Sequence, residues 1–148
     1  MKAISVYQPH ATCIAMKWKT IETRTHARFK LLEGERIAIH AAKKVVPITT
    51  FFCECLPLDG TPHDILKINN IVTFVEICRG KIVCTAQVVK ARWAPNVDFD
   101  LREEWNRQAM WEVAGKFLLF LEDIELINPF PFLGRQGIFN VPDALFRN

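Results

Sequence analysis

A chain of 148 residues that is 50% hydrophobic, with ordinary glycine and proline content, has the makings of one folded domain across residues 1–148 and excludes a disordered or low-complexity protein. Nineteen Lys and Arg against sixteen Asp and Glu leave a charge of +3 and a pI near 8.7, which permits an anionic partner but falls short of a dedicated non-specific nucleic-acid binder, usually above pI ~9. No run of eighteen apolar residues excludes a membrane-spanning helix, and the first residues lack the pattern of a secretory leader.

Ala3 to Tyr7 reads as a short strand ended by Pro9, and Pro9 to Met16 as a helix with Ala11, Ile14 and Ala15 toward the core. The β-branched residues Thr20, Ile21 and Thr23 then predict a second strand. Glu22 and Arg24, two apart, share one face of it; Lys19 joins them only if the chain bends near Trp18. Thr25 to Leu32 is a polar, basic connection, and Arg36 to Ala42 a third strand, with Ile37 and Ile39 on one face and Ala38 and His40 on the other. Val45 to Cys55 suits a helix opened by Pro47, whereas Pro57 to Asn70 carries turn signals at Asp59-Gly60 and Thr61-Pro62. Gly80 opens the clearest strand, where Lys81, Thr85 and Gln87 alternate with Ile82, Cys84, Ala86 and Val88. Ala94 to Val113 is a loop or short helix that covers part of the fold. Lys116 to Ile127 is a Phe-rich strand, and Gly137 to Val141 a closing one before a turn at Pro142. The sum is a mixed α/β chain, mostly β, with short flanking helices.

Five cysteines, irregularly spaced, fit a reduced, cytoplasmic protein with free thiols. Cys53 and Cys55 lie near His63 but lack a second ligand pair, so no metal and no other cofactor is expected.

Several polar residues are candidates for a site. The Gln8 amide can donate and accept, as reading a base edge requires, or it can cap the helix that follows. His10 suits stacking or proton transfer. Lys19 suits phosphate, or acid–base work if its pKa is lowered, with Glu22 beside it; Arg24 offers a planar fork for phosphate or for Glu22 itself. On the residues alone the trio reads first as a solvated edge strand with a surface ion pair, or as a structural ion network. His40 precedes the small residues Ala41 and Ala42, which leave room for a ligand or for close packing. Lys43 and Lys44 extend a basic rim, or are simply solvated. Arg135 and Gln136, between Gly134 and Gly137, sit in a tight turn that reaches a phosphate or closes a cleft. Trp18, Trp93, Trp105 and Trp111 read as core or cover.

Four segments in order, Ser5-Val6-Tyr7-Gln8-Pro9-His10-Ala11, Lys19-x-x-Glu22-x-Arg24, Arg36 to Lys43, and Gly134 to Phe139, resemble the ASCH domain family of the PUA-like superfamily. That family is marked by G-x-K-x-x-E-x-R; Lys19, Glu22 and Arg24 match its charged positions, while Lys17 replaces its leading glycine. His10 stands where the family often has tryptophan, and Tyr7 where it often has arginine. The resemblance spans Ile4 to about Val141. It implies a small PUA-like β-barrel with a ligand cleft lined by the charged trio, and RNA or a nucleotide as partner, with DNA possible. A second implication is a hydrolase, since some relatives are amidohydrolases of acylated cytidine and some ribonucleases. Lys19 and Glu22 would then be the acid–base pair, but Glu22 stands where the amidohydrolases have a threonine, a departure that tells against their mechanism here. A third is a protein-interaction domain, as in coactivator relatives, which would need an exposed apolar patch.

Overall fold

The computed structural model describes residues 1–47 and 62–147, with side chains in the second span from residue 68. Strand β1 (Lys2–Gln8) leads into helix α1 (His10–Ala15), strand β2 (Ile21–Arg24) and a 3-10 helix (Ala27–Leu32). Strand β3 (Arg36–Val45), helix α2 (Pro62–Cys78) and strand β4 (Lys81–Trp93) follow. Helix α3 (Phe99–Ala109), strand β5 (Phe117–Pro131), strand β6 (Ile138–Asn140) and a second 3-10 turn (Asp143–Phe146) complete the chain.

The strands form one six-stranded sheet in the order β2-β5-β4-β3-β1-β6. Only β1 and β3 run parallel; the other neighbours are antiparallel. The mixed, mostly β architecture is as expected. The sheet is not closed, because no ladder among the described residues joins β2 to β6. Long β4 and β5 pair through three register shifts, which bend them and sharpen their twist.

Alternation along β3 divides the core as the sequence predicts. Ile37 and Ile39 join the main cluster with Ile4, Ile14 and Leu32, whereas Ala38 faces a smaller one with Ile82 and Phe139. A third cluster, Ile21, Ala109, Val113 and Leu118, lies under α3, which is the cover expected from Ala94 to Val113. Trp105 packs into this cluster, its ring edge-on to Phe120 at 5.5 Å, while Trp18, Trp93 and Trp111 stay 38–48% exposed.

Two stretches differ from expectation. Residues 27–32 are a 3-10 helix rather than an irregular connection, since Phe29 and Leu32, three apart, both reach the core. Helix α2 extends into a stretch read as turns, and its buried residues Ile71, Val75 and Cys78 keep the i, i+4, i+7 spacing of a helical stripe. The helix expected over Val45 to Cys55 lies mostly outside the described residues, as do Cys53 and Cys55. Cys13, Cys78 and Cys84 are buried and form no disulfide. Burial pushes the Cys84 thiol up to about 12, the state of an inert packing residue. Among the described residues no cluster of metal-binding side chains occurs, and no helix is long and apolar enough to cross a membrane.

Candidate functional site

The charged trio is brought together by the turn that ends α1. Trp18 N donates to Cys13 O and Lys17 N to Ile14 O, both at 2.9 Å, the paired bonds of a Schellman motif. That motif needs a left-handed residue just past the cap, and Lys17 supplies it with φ +63°. The bend near Trp18 on which the grouping of Lys19 with Glu22 and Arg24 depends is present, and Lys17 stands at the position where it falls. It aims Lys19 back beneath β2.

Lys19 is 1% exposed, and its Nζ donates to the carbonyl of Ala109 at the end of α3. The same ammonium lies 3.3 Å from Glu22 Oε2, and Arg24 Nη2 lies 3.3 Å from Glu22 Oε1. Arg24 also donates to the Ser5 carbonyl at 2.9 Å, with its guanidinium 5.0 Å from the centre of the Phe29 ring. The trio therefore clasps β1, β2 and α3. Burial lowers the pKa of Lys19, though Glu22 pulls it back up. Burial pushes Glu22 up, but Lys19, Arg24 and His10 together outweigh it and hold the carboxyl below its usual range.

His10 opens α1 beside this pair, edge-on to Trp111 at 5.9 Å. Burial, reinforced by the Lys19 charge, lowers its pKa to about 4, so the imidazole is neutral near pH 7. Gln8 is wholly buried and lies outside the cleft; its Oε1 accepts from Thr12 N at 3.1 Å and Thr12 Oγ1 at 2.9 Å, bonds that serve the first turn of α1.

A register shift between Ile39 and His40 re-aims the His40 ring. Its Nε2 lies 3.1 Å from the Phe132 carbonyl, which only accepts, so Nε2 carries the proton and Nδ1 accepts from Ser5 Oγ at 3.0 Å. Burial lowers its pKa, against backbone bonds that raise it. Gly134 passes so close that a Cβ there would overlap the imidazole and stand 2.7 Å from Ser5 Oγ. Ser5 and His40 thereby seat the loop that carries Arg135 and Gln136.

These residues surround an open cleft of about 1300 Å³. His10, Lys19, Glu22, Arg24, His40, Arg135 and Gln136 all line it. So do Lys43, Lys44, Arg28, Arg79 and Lys81, which among the described residues makes eight Lys or Arg against the single carboxylate of Glu22. Arg28, Arg79 and Lys81 were not singled out by sequence reasoning. Arg79 and Lys81 flank the Gly80 turn, and only pairing of β3 with β4 carries that turn to the cleft. Trp111 lines the cleft as well, beyond its expected role as cover.

No protein-family model matches the chain, and no curated protein matches it. Solved structures do. The crystal structure of ASCH from Zymomonas mobilis matches with a TM-score of 0.55 at 15% identity, over 97% of this chain and 88% of that one. Two single-substitution variants of the Zymomonas mobilis protein match with TM-scores of 0.55 and 0.54 at 16% identity, over 96% of this chain and 90% and 88% of theirs. The chain has an ASCH-like fold.

Proposed function

We propose that the protein binds single-stranded nucleic acid, RNA above all, in this cleft. The observation that carries the reading is the concentration of charge. Among the described residues, eight Lys or Arg but only one carboxylate face the cleft, and that acid is neutralised by Lys19 and Arg24. Outside the cleft the described residues carry more acids than cations. Fixed positive potential in a concave site attracts phosphate, and exposed Tyr7 and Trp111 offer faces for unstacked bases. The resemblance of the charged trio to the ASCH motif points the same way.

Hydrolysis of the bound nucleotide is a second reading, favoured by the neutral His10 beside Glu22. Glu22 is held ionised by both cations and is therefore suited to accept a proton rather than donate one, with the neutral His10 imidazole beside it.

Fluorescence anisotropy with a labelled single-stranded RNA tests the first reading. With about four phosphates contacted, log K falls against log salt with a slope near −2.8. No binding at low salt overturns it. Product analysis of the same mixtures tests the second: RNA left intact by a protein that binds it rules hydrolysis out.

A further inference from the structure

The geometry points to two separate nucleotide subsites in the cleft, so that its ligand is an internal stretch of a single strand rather than a free mononucleotide. This rests on the reading of the cleft as a nucleic-acid site. Each subsite has its own ring and its own cations. At the first, Trp111 is 39% exposed, and Arg24 and Arg28 lie 5.0 and 5.4 Å from the centre of the Phe29 ring, which holds both guanidinium groups in place. At the second, Tyr7 is 51% exposed, with the Lys44 ammonium 5.0 Å from its ring centre. Lys43 and Arg79, which line the same cleft, are fixed to one another, because Arg79 Nε donates to the Lys43 carbonyl at 3.1 Å and the Lys43 side chain packs over Gly80.

The two groups of cations lie at different points along β1. Arg24 is anchored on the Ser5 carbonyl, and Lys44 sits on Tyr7, two residues further along the strand. A ligand with charge at one point only would leave the other group of cations unused. The volume agrees: about 1300 Å³ exceeds the ~300–1,000 Å³ of a site for one small molecule.

The test is competition by a ladder of oligouridylates, from uridine monophosphate upward, against a labelled longer oligouridylate. Wild type is compared with Arg28→Ala/Arg135→Ala, where the Arg28 guanidinium lies against Gly137 in the turn that carries Arg135, and with Lys44→Ala/Lys81→Ala, where Lys81 adjoins the Gly80 turn that packs on Lys43; all are exposed or partly exposed positions whose loss leaves the core intact. Affinity is expected to rise about tenfold or more once a second base can stack, and then to level off. Each double variant should remove that gain and flatten the salt slope by about 1.4, the share of two phosphate contacts. A monophosphate that competes as well as the longer strands, or a Lys44→Ala/Lys81→Ala protein with unchanged length dependence, would overturn the two-subsite arrangement and leave the nucleotide reading standing. Absence of binding by every member of the ladder overturns both.

Discussion

Glu22 meets Lys19 on one carboxylate oxygen and Arg24 on the other, each at 3.3 Å, and is itself only 7% exposed. Its loss leaves the Lys19 ammonium buried with only the Ala109 carbonyl as partner among the described contacts. Glu22→Leu should therefore cost about 3–5 kcal/mol, read in urea unfolding. Lys19→Met should cost less, because Glu22 keeps Arg24, and Lys19→Met/Glu22→Leu should restore most of the stability, since a buried pair is often no better than an apolar replacement. His10 makes the fold acid-sensitive. Its pKa is about 4 folded and 6.5 in the free side chain, so between these values the unfolded chain binds the extra proton. Stability then rises with pH across that window and falls on acidification, by about 3 kcal/mol in all. Glu22, with a lowered pKa, adds to the same loss below its ordinary range. Unfolding free energies measured at pH 4.5 and pH 7 should differ much less in His10→Gln; an unchanged difference would place the acid sensitivity elsewhere.

The turn between α1 and β2 shows how local chemistry sets the site. Lys17 occupies a left-handed conformation that a side chain enters at a cost of about 1–2 kcal/mol. Lys17→Gly should relieve it, less the entropy that glycine adds to the unfolded chain, for a net gain of a few tenths to about 1 kcal/mol and a higher melting temperature. Gly134 acts through contact rather than backbone freedom. Gly134→Ala would drive a methyl group into His40 and Ser5, displacing the loop with Arg135 and Gln136, so RNA affinity should drop while the melting temperature falls only modestly. The sequence marks a helix stripe at Ala11, Ile14 and Ala15 and a strand at Thr20, Ile21 and Thr23, but it leaves the bend between them open, because the left-handed residue that makes it is a lysine rather than a glycine. Helix α2 was hidden by the turn signals before it and by β-branched Ile71, Val72, Thr73 and Val75, which weigh against a helix locally and are overridden by packing of Ile71 and Val75 into the core.

A net charge of +3 conceals a molecule with two unlike faces. The sequence displays Lys19, Glu22 and Arg24 as a motif because they are close in the chain, and Lys43-Lys44 because they are adjacent. Arg28, Arg79 and Lys81 become legible only when the parallel β1–β3 pair and the β3–β4 ladder bring three distant segments to one rim. The burial of Lys19 was equally hidden, since its Ala109 partner lies ninety positions away. Position, not total charge, should then govern binding. Arg28→Glu/Lys81→Glu on the cleft and Lys90→Glu/Arg147→Glu away from it each replace two cations by two anions, taking the formal charge from +3 to −1. If net charge were the determinant, both would weaken RNA binding alike. With the potential focused in the cleft, the first pair should slow association severalfold or more and flatten its salt dependence, while the second leaves both close to wild type. Stopped-flow association rates across a salt series measure the difference, and equal losses in the two variants would mean that RNA meets the surface at large rather than this cleft.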